Sequence, residues 1–322
     1  MKNGKDRHAQ GLPQKITMHA QKKPVSAIHA FFGGHSARTS SFISPSAFNL
    51  NRFSLGVPLG RRLALTLGLI VSLAAAAAGQ ITSNGFFFVQ ITDTHLGGGP
   101  NHDALAARMI NAINRLPMPI ACVVHTGDVG ADNLDNGLTA LSASNLLHTL
   151  HVPCYVLPGN HDLTPRRLEA TRRVFETTFG PLAKNVEVQG MVFLLLYTEP
   201  LRGTVATPDY DPLSWLETHL KTAAGKPVIV FTHTPPVQDF YDNRLRPGWP
   251  AAAQARWSEL INRYDVKAVI AGHFHRDELQ WDGRVPLYIA APMATYYGRQ
   301  PSFRVYEVRH DGRLSYRTIY LE

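Results

Sequence analysis

Short apolar runs alternate with longer segments of helical spacing between residues 85 and 271, and this alternation constrains the fold more than any other feature. The runs are four to seven residues long and rich in Val, Ile and Phe, which predicts β-strands. The intervening segments place apolar residues three and four apart, as amphipathic helices do. After residue 277 the pattern changes to strands joined by Asp-Gly turns. Strand–helix units followed by a run of strands predict an α/β domain with mixed sheets.

The predicted elements fill residues 86–320 without an internal repeat or a linker. The predicted strands are 86–91, 120–124, 154–157, 191–197, 227–231, 266–270, 278–281, 285–290, 303–309 and 314–320. The predicted helices are 103–116, 134–150, 164–179, 213–223 and 251–263. Residues 85–322 are therefore expected to form one domain, and the 44% apolar content is enough for a sizeable core.

The net charge of +8 is concentrated at the N-terminus. Residues 1–62 hold ten basic residues and one acidic residue, a charge of +9, so the other 260 residues carry −1. A nearly neutral domain argues against a nucleic-acid partner for 85–322 and leaves that role open only for the basic stretch. Residues 1–62 lack hydrophobic periodicity, so they are interpreted as a disordered arm or as the product of a start site placed too early.

Two arginines precede a 17-residue uncharged, mostly apolar run at 63–79, which ends in small residues. This pattern predicts the hydrophobic region of a secretory signal peptide. The alternative is an uncleaved membrane anchor, for which 17 residues is short. The first interpretation predicts an exported protein, periplasmic or extracellular, and the second predicts membrane association through 63–79.

The two cysteines, Cys122 and Cys154, lie outside any zinc-binding spacing. Cys122 lies six residues before Asp128, and Cys154 lies six residues before Asn160. If the strands that hold them pair in parallel, the two cysteines are neighbours. We favour two buried thiols, although export would permit a disulfide.

Side chains that bind metals occur where the predicted strands end. The candidates are Asp93, His95, Asp128, Asn160, His161, Asp162, His233, His273 and His275. Open α/β sheets place their ligand sites along one such edge. In extended backbone, residues i and i+2 point to the same side, so Asp93/His95 and His273/His275 form two candidate pairs.

Further residues fit a site for two ions. Asp128 has two carboxylate oxygens and could bridge ions about 3.5–4 Å apart. Asn160 would add a neutral oxygen ligand. Gly127, Gly159 and Gly272 adjoin these residues and would allow close approach of the backbone.

The blocks read Asp93-Thr94-His95, Gly127-Asp128, Gly159-Asn160-His161-Asp162, His233 and Gly272-His273-Phe274-His275. In this order they resemble the calcineurin-like metallophosphoesterase family, whose pattern is D-x-H, G-D, G-N-H-D/E, H and G-H-x-H. The resemblance spans nearly all of 86–275. It implies a four-layer sandwich of two mixed β-sheets flanked by helices, which agrees with the α/β pattern.

The resemblance also implies roles for these side chains. One divalent ion would be held by Asp93, His95 and His275, a second by Asn160, His233 and His273, with Asp128 bridging. His161 would act on the phosphate or the leaving oxygen, oriented by Asp162. The nitrogen and oxygen ligands suit Mn, Fe or Zn.

The implied activity is hydrolysis of small phosphate mono- or diesters by a metal-activated water, with a phosphodiesterase favoured. The sequence is most similar to the class III cyclic-nucleotide phosphodiesterase branch. The alternatives are a non-catalytic phosphate-binding module and a phospholipid or nucleotide phosphatase at the membrane. Arg299 is a candidate for substrate binding, the segment 235–250 for a pocket rim, and His125 for a supporting residue behind the ligands or at the surface. The oligomeric state stays open.

Overall fold

The computed structural model describes residues 85–223, 225–237, 249–295 and 298–321. The stretch 1–62 and the apolar run 63–79 lie outside the described residues, so the predicted division of the chain stays a prediction. Among the described residues, no helix is both long enough and apolar enough to cross a membrane.

Apart from one hairpin at residues 183–196, the secondary structure alternates strands and helices up to residue 271 and continues as strands to residue 320. The strands are β1 (Phe86–Ile91), β2 (Ile120–His125), β3 (Cys154–Val156), β4 (Ala183–Val188), β5 (Met191–Leu196), β6 (Val228–Phe231), β7 (Val266–Ala271), β8 (Glu278–Asp282), β9 (Val285–Ile289), β10 (Ser302–Val308) and β11 (Leu314–Tyr320). The helices are α1 (His102–Ile113), α2 (Gly137–Leu147), α3 (Leu168–Phe179), α4 (Glu199–Arg202), α5 (Pro212–Thr222) and α6 (Ala251–Arg263), with a 3₁₀ turn at Pro165–Arg167.

The strands form two mixed sheets, as the sequence predicts. Sheet 1 has the order β11-β10-β1-β2-β3, with β1, β2 and β3 parallel and β10 and β11 antiparallel to their neighbours. Sheet 2 has the order β4-β5-β6-β7-β9-β8, with a parallel centre from β5 to β9 and an antiparallel strand at each edge.

Three apolar layers hold the sheets and helices together. Aromatic rings fill the layer between the sheets, where the Phe88 ring lies 5.1 Å from that of Phe193 and 5.9 Å from that of Phe231. Helices α1, α2 and α3 cover the outer face of sheet 1, and α5 and α6 cover that of sheet 2. The predicted four-layer sandwich is therefore confirmed.

The two cysteines lie on opposite faces of sheet 1. Cys154 aligns with Val123 in the parallel register of β2 and β3, and both contribute to the layer under the helices. Cys122 precedes Val123 by one residue, so its side chain enters the layer between the sheets. Both thiols are free, Cys122 buried and Cys154 partly buried, because strand alternation turns them apart.

Candidate metal centre

The centre forms where the carboxyl ends of five strands meet. Strands β1, β2 and β3 of sheet 1 lead into it from one side, and β6 and β7 of sheet 2 from the other. The loops after β1 and β2 continue side by side, since the N–H groups of Asp93, His95 and Leu96 donate to carbonyls of residues 127–129. The polar residues placed after strands by the sequence thus gather at one edge.

The backbone at several of these residues is left-handed. Seven non-glycine residues of the described chain have positive φ, and five are predicted ligands: Asp93, His95, Asp128, His273 and His275, with φ from 44° to 68°. The i, i+2 pairs were predicted from extended backbone, and this premise is wrong. Asp93 and His95 still lie in one cluster of ligand atoms, whereas His273 and His275 lie in two different clusters. Such strain costs about 1–3 kcal/mol per residue and is typical of functional sites.

The first donor group consists of Asp93, His95 and His275, all buried, with ligand atoms within 4.8 Å of one another. His275 Nε2 lies 2.9 Å from Asp93 Oδ1 and 3.4 Å from His95 Nε2. The second Asp93 oxygen accepts from the Thr92 hydroxyl at 2.6 Å and the His273 N–H at 3.2 Å. One carboxylate oxygen is therefore fixed, and the other faces the imidazoles.

The second donor group consists of Asp128, His233 and His273, also buried and within 4.8 Å. His233 Nε2 lies 3.1 Å from Asp128 Oδ2 and 3.1 Å from the amide oxygen of Asn160. Its Nδ1 lies 2.8 Å from the Thr126 carbonyl, which can only accept, so this nitrogen carries the proton. Nε2 is therefore the nitrogen that faces the donor group.

Asp128 lies between the two groups. Its Oδ2 is 3.7 Å from His95 Nε2 and 3.1 Å from His233 Nε2. Its Oδ1 accepts the His161 N–H at 2.8 Å. One oxygen of this carboxylate is thus shared by both groups.

Glycines allow the loops to approach this closely. A Cβ on Gly159 would lie 2.1 Å from Asp128 Oδ1, and one on Gly272 would lie 2.7 Å from Asp93 Oδ2. A Cβ on Gly127 would lie 2.8 Å from His233 Nδ1. The contacts explain why each of these positions needs glycine.

The electrostatics of the centre suit a cation. Burial would raise the pKa of the Asp93 carboxyl, but His275 and His95 hold it well below its usual value. Burial opposes protonation of His233 as well, yet the Asp128 carboxylate raises the pKa of that imidazole to about 10. The proton on His233 thus offsets part of the buried negative charge, and a divalent ion would replace it. The donor set of carboxylate and amide oxygens and imidazole nitrogens fits Mn, Fe or Zn.

His161 lies at the open side of the centre. Its side chain is 40% exposed, and its ring centroid is 5.1 Å from that of His95. Its Nδ1 lies 3.0 Å from Asp132 Oδ2. Burial lowers the pKa of His161, but the carboxylates of Asp128 and Asp132 outweigh it, so the net shift is upward. Asp132 was not among the predicted site residues.

The prediction that Asp162 orients His161 is wrong. The Asp162 carboxylate is fully buried and accepts backbone N–H groups of Val129, Gly130 and Gly159 at 2.8–3.1 Å. Burial and the like charge of Asp128 raise the pKa of Asp162 to about 6. Both oxygens of this carboxylate accept backbone N–H groups, and these bonds connect the loop after β3 to the loop after β2.

His125 supports the loops from beneath, one of the two interpretations left by the sequence. It is fully buried, its Nδ1 accepts the Gly127 N–H at 3.2 Å, and its Nε2 lies 3.0 Å from the Thr94 hydroxyl. Burial lowers the pKa of His125 to about 3, so the ring is neutral.

Two predictions about the surroundings of the site stay predictions. Arg299 is exposed and forms no ion pair among the described residues, so nothing links it to the donor groups. Most of the predicted pocket rim, residues 238–248, lies outside the described residues.

Comparison with known proteins decides the family. Residues 88–277 match the model of the calcineurin-like phosphoesterases. The chain belongs to this family. Its members use two divalent metals, and the two donor groups match that requirement.

The relatives include phosphodiesterases. The chain is 29% identical over 228 residues to a probable glycerophosphodiester phosphodiesterase of Arcobacter nitrofigilis, covering 63% of this chain and 77% of that protein. It is 25% identical over 246 residues to a 3',5'-cyclic adenosine monophosphate phosphodiesterase of Escherichia coli, covering 70% of this chain and 86% of that protein. A solved dimetal phosphatase from Danio rerio shares the fold, with a TM-score of 0.55, 14% identity and coverage of 74% and 100%. The chain is therefore a metal-dependent hydrolase of phosphoric esters.

Proposed function

We propose that this enzyme hydrolyses small phosphodiesters at the centre formed by the two donor groups. The observation that carries the proposal is the position of Asp128, whose Oδ2 is 3.7 Å from His95 Nε2 and 3.1 Å from His233 Nε2. A carboxylate oxygen shared by two donor groups suits two adjacent ions.

Each donor group has an assigned role in this proposal. Asp93, His95 and His275 hold one ion, Asn160, His233 and His273 hold the other, and Asp128 contacts both. Bound divalent ions lower the pKa of water to about 7 and neutralise phosphate oxygens. The protein fixes Asp93, Asp128 and His233 in advance, because the remaining carboxylate oxygen or ring nitrogen of each has a backbone or hydroxyl partner.

His161 supplies the proton that the leaving oxygen needs. Asp132 faces its Nδ1, which leaves Nε2 to meet the substrate on the open side. A protonated imidazole beside the departing alkoxide acts as a general acid.

The preference for diesters rests on the relatives. Two of them are named as phosphodiesterases, one for glycerophosphodiesters and one for a cyclic nucleotide. Both substrates are small and carry one negative charge on the phosphate that is cleaved. We therefore propose a substrate from this chemical class.

The test compares a diester with a monoester. The full chain is stripped of metal with a chelator, reloaded with Mn²⁺, and assayed with bis-p-nitrophenyl phosphate and p-nitrophenyl phosphate. Faster metal-dependent cleavage of the diester supports the proposal. The assay then continues with glycerophosphodiesters and 3',5'-cyclic nucleotides.

Two variants control the assay. His161→Ala should lower diester cleavage about 10²–10⁴-fold, as loss of a general acid does. Arg299→Ala reports whether that exposed arginine contributes to KM. Preference for the monoester would make the enzyme a phosphatase, and no turnover by the folded, metal-loaded protein would favour a phosphate-binding module.

The location of the enzyme is a separate proposal. The Arg pair and apolar run at 61–79 support export, with cleavage after the Ala-rich segment. The N-terminal sequence of the mature protein tests this, since a chain that retains 63–79 would support a membrane anchor instead.

A further inference from the structure

A buried ion pair lies next to the second donor group and has no part in the chemistry described above. Glu199 and Arg202 belong to α4, a four-residue helix that follows β5 directly. Strand β5 runs parallel to β6, so the segment after β5 lies beside the loop 232–234 that carries His233. The pair thus reaches the centre from a neighbouring strand end.

The Glu199 carboxylate has partners on both oxygens. Its Oε1 accepts from the Thr234 hydroxyl. Its Oε2 accepts from Arg202 Nη1 at 2.7 Å and from the Thr204 hydroxyl at 3.3 Å. Glu199 is 1% exposed, so this carboxylate is held in one place by hydrogen bonds rather than by water.

The Thr234 bond acts on the backbone that carries His233. Thr234 is the next residue, and its carbonyl also accepts from the Thr232 hydroxyl at 3.2 Å. The His233 carbonyl accepts the Gly272 N–H at 3.0 Å, which ties this loop to the loop of His273. The loop is therefore anchored on both sides of the imidazole, and Glu199 is the charged anchor on the Thr234 side.

The pair is expensive to bury. The Arg202 side chain is only 9% exposed, and within the described chain its Nε has no hydrogen-bond partner. A buried ion pair rarely stabilises a fold more than apolar residues of the same size would. The position of the Glu199–Arg202 pair beside the second donor group explains why it is buried, since residues that orient metal ligands commonly set metal affinity.

We propose that Glu199 is a positioning residue for the second metal, acting through the Thr234 hydroxyl on His233, with Arg202 as its counterion. The inference rests on the proposed function because it takes His233 as a ligand. The bond keeps His233 Nε2 directed at Asp128 and Asn160, so its loss weakens the second metal and leaves the first unchanged.

The test measures metal binding directly. The chelator-stripped full chain is titrated with Mn²⁺ by calorimetry, which separates two equivalents of different affinity. Thr234→Val removes the hydroxyl at nearly constant volume and should weaken one equivalent about tenfold, with the other within about twofold. Thr234→Ser keeps a hydroxyl and should restore the wild-type affinity. Glu199→Gln should weaken the same equivalent.

Two comparisons separate positioning from general damage. Asp209→Asn breaks the exposed pair of Arg172 and Asp209 and should change neither affinity. Equal weakening of both equivalents, unchanged binding in Thr234→Val, or failure of Thr234→Ser to rescue would overturn the inference. A wild-type protein that binds fewer than two Mn²⁺ would remove its basis. Two Mn²⁺ without diester cleavage would refute only the proposed function, and the Thr234 series would still decide the inference.

Discussion

Asp132 is the residue whose role the fold alone shows. It faces His161 from the loop after β2, and its own φ is +60°, a conformation that Asn adopts as readily as Asp. Asp132→Asn should therefore keep the loop conformation but lose the negative charge that orients the His161 ring and raises its pKa. Because the carboxylate is 55% exposed, we expect a moderate loss, with kcat for the diester about tenfold lower and KM within about twofold.

Steady-state kinetics at several pH values measures this effect. Asp135→Asn is the matched control, since Asp135 is on the same loop but pairs with Arg167. Equal losses in both variants would mean that the loop, not the His161 contact, is responsible.

The glycines at the ligands allow a second experiment on single residues. Gly159→Ala places a Cβ 2.1 Å from Asp128 Oδ1, so the shared carboxylate or the loop after β3 must move. A displacement of about 1 Å at a catalytic group can cost about a hundredfold in rate, and we expect at least that loss in diester cleavage. Gly137→Ala is the control, because nothing lies within 4 Å of its Cβ. Normal activity in Gly159→Ala would contradict the close packing of the two loops.

The sequence places the candidate ligands well and their supporting residues poorly. Asp93, Asp128 and His233 stand directly after apolar strands, so a local pattern locates them. Asp132 and His161 are 29 positions apart, and only the folded loops bring their side chains together. Asp162 was misassigned because adjacency in sequence to His161 says nothing about which N–H groups its carboxylate meets.

At the level of elements, the start of α5 depends on a titrating cap. Asp211 accepts the Ser214 N–H at 2.6 Å, and bonds to Ser214 outweigh partial burial and lower the pKa of Asp211. Asp211→Ala should reduce the free energy of unfolding by about 1 kcal/mol at pH 7. Since the folded pKa is below the unfolded one, this contribution is complete above about pH 4 and disappears as the pH falls through the folded pKa.

Chemical denaturation at pH 7 and near pH 3 measures both parts. Asp211→Asn is the matched variant, because Asn caps a helix without titrating. It should match the wild type at pH 7 and lose less stability in acid. A cost for Asp211→Ala that stays constant with pH would show that the charge has no role.

The elements missed by the sequence have weak periodicity. Strand β4 pairs only with β5, at the edge of sheet 2, and mixes Lys, Asn and Glu with apolar residues. Helix α4 has only four residues, too few to show a helical period. Helix α2 begins at Gly137 rather than at 134 because the Asn136 side chain caps it. Long, strongly apolar strands such as β5 were predicted almost to the residue.

At the scale of the whole molecule, hydrogen bonds connect the two sheets next to the metal centre. Gln90 of β1 donates to the Ala271 carbonyl at the end of β7 and to the Thr126 hydroxyl after β2, both at 2.9 Å. Tyr306 of β10 donates to the Gln90 amide oxygen at 3.0 Å. This buried network holds the two strand edges together from beneath, so the loops that carry the donor groups start from fixed positions.

Each donor group draws side chains from both sheets, so a bound ion would cross-link them. The first combines Asp93 and His95 of sheet 1 with His275 of sheet 2, and the second combines Asp128 of sheet 1 with His233 and His273 of sheet 2. Metal removal should therefore lower the Tm of the whole domain. A site filled at 100 times its Kd contributes about 2.7 kcal/mol, which is about 5–10 °C for a domain of this size.

Thermal unfolding with chelator and with added Mn²⁺ tests this expectation. The chelator should lower the Tm, and Mn²⁺ should restore it. His161→Ala should keep the full metal-dependent shift because His161 is not a proposed ligand, whereas His233→Ala should lose part of it. A Tm that does not respond to metal, in a protein that binds two ions by calorimetry, would mean that the ions bind the unfolded chain as tightly as the folded domain. That result would contradict a centre that only the two folded sheets assemble.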